Sequence, residues 1–168
     1  MMLECGCPGE YPDWHNKDVD LAHHAAHMLP IASFLHMPLS FELYKERQQR
    51  EIEQLELNER WPGFALTRTG LLRGKLIRLL EDCESPSRHF LRLPADFQLH
   101  GMLHQGGIGT LRKTVRSQQE LLLDSGRMPK KIYLAYLTCP NCADERGGER
   151  ILLLRQWRAS QRLARKTG

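Results

Sequence analysis

The residues best equipped for chemistry are cysteines, and four of the five fall in two tight pairs, Cys5-Gly6-Cys7 and Cys139-Pro140-Asn141-Cys142. A structural Zn²⁺ takes four such ligands tetrahedrally, with sulfur at about 2.3 Å. A Cys-x-x-Cys turn lets two thiolates point at one ion, and Cys-x-Cys can do so with a tighter bite. The spacing therefore predicts one shared zinc site of Cys5, Cys7, Cys139 and Cys142. Its role would be to pin a loop-rich N-terminus that buries little apolar area. The long interval between the pairs requires that loop to fold back onto the last hairpin. Two alternatives stay open: a redox Cys-x-x-Cys, and thiols without metal. The redox motif usually sits at a helix N-terminus that lowers the thiol pKa, whereas this one falls in an expected strand-to-strand turn. His15 could replace one cysteine, and Cys83 stands alone as a buried or surface thiol.

His23, His24 and His27 cluster near Asp18 and Asp20. On a helix, Asp20, His24 and His27 would share a face and could hold a metal with an open position. The preferred reading is a polar loop of solvated histidines, because His27-Met-Leu-Pro runs straight into a strand. His100 and His104 share a strand face and are expected at the surface or at a groove rim. Tyr44, Trp61, Tyr136 and Trp157 are the large amphipathic aromatics; Glu42 opens a helix and Glu149 a strand. Ring faces and a carboxylate together suit a cationic guest. A Tyr hydroxyl with a partly buried Glu could instead run acid–base hydrolysis, if burial raised the Glu pKa. Core packing competes for each aromatic. The ligand contacts expected are Tyr44, Trp61, His104, Tyr136 and Glu149. The absence of Gly-x-Ser-x-Gly, phosphate-loop and dinucleotide motifs weakens the common enzyme classes.

These residues must be positioned by a chain of 168 residues, 41% hydrophobic and 26% charged, which fits one domain or two small modules. The longest apolar stretch, Ala25 to Leu43, is broken by prolines and histidines, so no transmembrane helix and no membrane partner are expected. No secretory signal is visible, and the odd cysteine count suits a reducing cytosol. The net charge of +4 is concentrated in Arg158, Arg162, Arg165 and Lys166. Such a tail can touch nucleic acid or acidic lipid. A solvated, frayed terminus is preferred, since no aromatic platform accompanies it.

Periodicity predicts a Cys/His-rich loop over 1–24, a strand over Ala25–Leu35 and a helix from Phe41 to Leu57, capped by Ser40. Leu43, Tyr44, Ile52 and Leu55 form the apolar side of that helix. Strands follow at Phe64–Arg68 and Leu71–Glu81, the latter with helix as its alternative. After a polar linker come a strand at Phe97–Gln105, a helix at Thr110–Ser125 ended by Gly126, and strands at Lys131–Thr138 and Glu149–Trp157. Strand, helix, strand, strand thus occurs twice, over about 25–81 and 97–157, within a domain of 25–157 followed by the tail 158–168. The predicted class is α+β: two such modules forming one antiparallel sheet with both helices on one side. Identity between the halves is slight, so the repeat is one of element order.

His104-Gln105-Gly106 ahead of a helix and Tyr136-Leu137-Thr138-Cys139-Pro140 at a strand end resemble segments of the GyrI-like small-molecule-binding family. The resemblance implies an open groove between two modules that takes bulky, often aromatic or cationic organic molecules. Some relatives similar in fold hydrolyse small electrophiles. The first half lacks a clear Tyr-x-x-x-Pro, and a cysteine stands before the proline of the second. The first twenty residues and the Cys-Pro-Asn-Cys turn have no counterpart in the family. No helix-turn-helix precedes the domain, so a complete one-component regulator is not expected. The function expected is a zinc-stapled small-molecule-binding protein. Its alternatives are a small-molecule hydrolase using a groove Glu with Tyr, and a zinc-containing nucleic-acid-interaction protein using the basic tail.

Overall fold

The computed structural model describes residues 1–35 and 37–167, so Gly168 of the expected tail lies outside the described residues. In chain order the elements are β1 (Asp18–Asp20), β2 (Ala25–Phe34), β3 (Met37–Pro38), α1 (Phe41–Gln54), β4 (Ala65–Thr69), β5 (Arg73–Leu79), β6 (Phe90–Arg92), β7 (Gln98–Gln105), α2 (Leu111–Asp124), β8 (Arg127–Tyr136), β9 (Arg150–Ala159) and α3 (Gln161–Thr167). They belong to two units, Met1–Tyr11 with His23–Pro94, and Pro12–Ala22 with Ala95–Gly168. The class is α+β with antiparallel pairing, and strand–helix–strand–strand recurs as β2-α1-β4-β5 and β7-α2-β8-β9. Leu71–Glu81 carries strand β5, so its helical alternative falls.

In the first unit β5 lies between β2 and β4. Leu66, Leu76 and Ile77 are fully buried there, each contributing about 1.5–3 kcal/mol by leaving water. Phe41 and Tyr44 of α1 pack on Leu29, Ile31, Ala65 and Leu76. The helix departs from its expected pattern in two ways. Leu43 is 64% exposed, and the position facing the sheet is taken by a fully buried Gln48. Ser40 makes no capping bond and has φ 52°, because it is held as a left-handed turn entering the helix. Pro30 is tolerated in β2 because its nitrogen faces outward: Met28 N–H, two residues earlier, donates outward to the His89 carbonyl.

In the second unit β7 pairs with both β1 and β9, and β9 with β8. β8 carries Pro129 at a bulge, where the register shifts before Ile132. Leu111, Gln118 and Leu122 are the buried face of α2. Gly126 (φ 75°) ends that helix and lies against Ala164 of α3, where a Cβ would meet the Ala164 Cα at 3.0 Å. The C-terminus is therefore helical and packed through residue 164 rather than frayed. Arg158 pairs with Asp96 at 2.6 Å. None of the described helices is long and apolar enough to cross a membrane.

Candidate functional site

The N-terminal pair is shaped by a tight backbone loop. Leu3 N–H donates to the Cys7 carbonyl and Gly6 N–H to the Leu3 carbonyl, at 2.8 and 2.9 Å. Gly6 has φ 86°, which a side chain would strain. Cys7 is 3% exposed and Cys5 half-buried. In the second unit, Cys142 and Ala143 N–H both donate to the Cys139 carbonyl, closing a turn. That turn brings the Cys139 and Cys142 sulfurs to 3.8 Å and aims the Cys139 N–H at the Cys142 sulfur at 3.3 Å. Two ligands at about 2.3 Å from a tetrahedral centre are themselves separated by about 3.8 Å. The turn is thus already spaced as one edge of a zinc–thiolate tetrahedron, and its N–H stabilises a thiolate. The five cysteines are thiols, not disulfides. Cys5, Cys7, Cys139 and Cys142 together form a group that could hold a metal ion.

The histidines correct the sequence reading. His27 lies in β2, not on a helix or in a solvated loop, and is 0% exposed. His100 and His104, expected at the surface or a rim, are 4% and 7% exposed. His104 is held through both ring nitrogens, Nδ1 at 2.7 Å from Thr114 Oγ1 and Nε2 at 3.1 Å from the Gly107 carbonyl. It fastens the start of α2 to β7. His100 Nδ1 lies 2.8 Å from Asp18 Oδ1, which also receives Arg127 at 2.5 Å. Burial alone would raise the Asp18 pKa, but the bonds from His100 and Arg127 outweigh it and lower it below the usual carboxylate value.

Each unit holds a buried polar cluster of its own that residue identity did not suggest. Gln48 of α1 donates to the His27 and Leu76 carbonyls, at 3.2 and 2.9 Å. Gln118 of α2 donates to the His100 and Leu153 carbonyls, at 2.7 and 3.3 Å. His27 pairs across the sheet with Arg78, and His100 with Arg155. The repeat is therefore one of His, Gln and Arg at matching places, not of element order alone. Its visible signal was Gln-Gln at Gln48-Gln49 and Gln118-Gln119, the eighth and ninth residues of the two helices. The copies differ at the arginine. Arg78, 1% exposed, takes Glu59 at 2.9 Å and Gln49 at 2.6 Å. Arg155 has no ion pair among the described residues, and burial lowers its pKa.

Glu51 and His89, which the sequence reading passed over, join the first cluster. His89 Nδ1 lies 2.8 and 3.0 Å from the two Glu51 oxygens, and Ser87 Oγ donates to Oε1 at 3.0 Å. His27 Nε2 is 3.4 Å from the same oxygen. Burial alone would raise the Glu51 pKa; the His89 and Ser87 bonds and the His27 ring outweigh it and lower it. Burial lowers the His27 pKa, so that ring is neutral.

Of the expected ligand contacts, Tyr44 and Trp61 lie in the first unit and His104, Tyr136 and Glu149 in the second. Tyr44 is half-buried on the α1 core, and Trp61 stacks edge-on with Phe64 at 6.1 Å beneath the Arg60 guanidinium. Burial raises the Tyr136 pKa, keeping its hydroxyl protonated at neutral pH. Glu149 is exposed, with its carboxylate packed over Gly107. The first unit also holds a cavity of about 450 Å³ lined by Cys5, Glu42, Lys45, Glu46, Arg50 and Arg78, among others.

The strand–helix–strand–strand units fit a GyrI-like fold, which the likeness to two solved structures supports. One is the crystal structure of the EcmrR C-terminal domain, with a TM-score of 0.63 and 10% identity, covering 84% of this chain and 96% of that one. The other is the cryo-EM structure of an EcmrR–DNA complex, with a TM-score of 0.57 and 11% identity, covering 85% of this chain and 56% of that one. At such identities the likeness concerns the fold alone. Residues 2–156 match the model of the family described as Bacterial hydrolase, and the chain belongs to that family. No curated protein matches it.

Proposed function

We propose that this chain is a small-molecule-binding protein of GyrI-like fold, stapled by Zn²⁺ on Cys5, Cys7, Cys139 and Cys142. The observation that carries the metal is the 3.8 Å sulfur spacing of Cys139 and Cys142, with a backbone N–H on one sulfur. Zinc bound there would act structurally, since four thiolates leave no open position for substrate. Tyr44, Trp61, His104, Tyr136 and Glu149 are the residues assigned to an organic ligand, aromatic or cationic in kind. Reduced thiols suit a cytoplasmic setting. The test is metal analysis of purified wild type, Cys7→Ser and Cys142→Ser. One equivalent of zinc in wild type, lost in both variants, is expected; full zinc in both variants would sink the quartet.

The family description favours a second reading, hydrolysis of a small molecule by Glu149 with Tyr136. Its protonated hydroxyl lets Tyr136 serve as the acid, with the Glu149 carboxylate as the base. Turnover of small electrophilic epoxides or esters by wild type, abolished in Glu149→Gln with zinc and folding intact, would support it. Equal turnover in that variant would remove Glu149 from the chemistry.

A further inference from the structure

The outer edge of β2 is covered by β6 at Ala25–His27 and by β3 at Ser33–Phe34. Between them Met28 N–H is taken by the His89 carbonyl and the Ala32 carbonyl by Leu39 N–H, while Pro30 offers no N–H to another strand. Beside it lies a cavity of about 580 Å³, with an apolar lining from Met28, Leu29, Pro30 and Leu91. That volume falls in the range of small-molecule sites, roughly 300–1,000 Å³. The polar lining is Arg47, Lys75, Arg88 and His89, with no acid. None of these arginines or the lysine makes an ion pair among the described residues. Elsewhere in the first unit Arg78 and Arg92 both hold carboxylates, so what distinguishes Arg47, Lys75 and Arg88 is that they line one cavity together.

His89 gives the cavity a directional atom. Both Glu51 oxygens hold its Nδ1, and Ser87 holds Glu51 in turn. The ring is thereby fixed, leaving Nε2 as its remaining polar atom. With Nδ1 taken by Glu51, the ring can meet a bound anion only through Nε2, and the Arg47, Lys75 and Arg88 side chains line the same cavity. The cluster of His27, Glu51 and His89 is also close enough to hold a metal, but hydrogen bonding argues against that use. The Gln48 amide nitrogen donates one N–H to the Leu76 carbonyl at 2.9 Å, and its other N–H is shared between the His27 carbonyl at 3.2 Å and His27 Nδ1 at 3.1 Å. With Nδ1 accepting, a neutral His27 carries its proton on Nε2, 3.4 Å from Glu51, and has no lone pair there for a cation.

We infer that this cavity binds a small organic anion, its apolar body on Met28, Pro30 and Leu91 and its carboxylate or phosphate on His89 Nε2, Arg47, Lys75 and Arg88. None of its lining residues belongs to the thiol group or to the ligand contacts assigned above, so the two proposals stand or fall separately.

The test is NMR on the full chain carrying labelled methionine methyls and histidine rings. Benzoate, phenyl phosphate, benzamide and benzylammonium are titrated to roughly 10 mM, the weak end of small-ligand affinity. At least one of the two anions is expected to move Met28 and His89 together, and the neutral and cationic analogues neither. The exposed double variant Arg47→Glu/Lys75→Glu should weaken the anion about tenfold at low salt, consistent with up to ~1 kcal/mol per exposed charge. His89→Gln should weaken it too, measured well below the unfolding midpoint of that variant. Equal shifts from benzamide, shifts confined to other residues, or none from either anion would overturn the assignment. So would Zn²⁺ binding that survives Cys7→Ser/Cys142→Ser and is abolished by His89→Ala.

Discussion

Replacing Glu59 by Leu should be among the most damaging single changes in the first unit. The Glu59 side chain is 5% exposed and its partner Arg78 1%. Removing one member of a buried pair leaves a charge that water cannot reach, at a cost of about 3–5 kcal/mol. Gln49 Oε1 remains 2.6 Å from the guanidinium, which places the expected loss near the lower bound, about 3 kcal/mol. For a chain of this size each kcal/mol moves the midpoint by roughly 2–4 °C, so Tm should fall by about 6–12 °C. Arg78→Met/Glu59→Leu removes the stranded charge and should regain most of the loss. The assay is urea unfolding followed by the ¹⁹F resonance of 5-fluorotryptophan at Trp61, two residues from Glu59 and within the same unit. A single variant within about 1 kcal/mol of wild type, below the cost expected of a stranded charge, would refute the reasoning. A double variant as unstable as the single would refute it too.

Two further outcomes follow from the second unit and its repeat. Gln118→Leu strips the donors from the His100 and Leu153 carbonyls but also removes an unpartnered amide oxygen. The net loss should be about 1–2 kcal/mol by urea midpoint, and a neutral or stabilising result would show the amide is not a pin. Asp18 has a folded-state pKa below its unfolded one. Its contribution is therefore present above the unfolded pKa and lost as pH falls through the folded value. Stability of the second unit, measured from pH 5 to 2 by roughly unit steps, should fall less steeply in Asp18→Asn than in wild type. Identical slopes would mean the carboxylate contributes nothing.

The strands and helices were legible because their apolar residues keep periods of two and of about 3.6. The cysteine pairing was legible because turn length fixes where two sulfurs can point. The polar interior was not. Gln48, Gln118, His27, His100 and Arg78 are types that composition assigns to surfaces, and only knowledge of which carbonyls lack partners places them inside. Leu43 failed for the converse reason: it is apolar, but at 100° per residue it lies opposite Ile52 and well away from Gln48, so it faces solvent. Glu51 reads as one more charge on a solvated helix face until the distant Ser87-Arg-His89 segment is seen to return to it.

The doubled histidine, glutamine and arginine put the same residue types under different constraints. Arg78 is locked to a carboxylate that its removal would strand, whereas Arg155 has no such partner among the described residues. Mutational tolerance should therefore differ at the two positions, with a long apolar side chain accepted more readily at Arg155 than at Arg78.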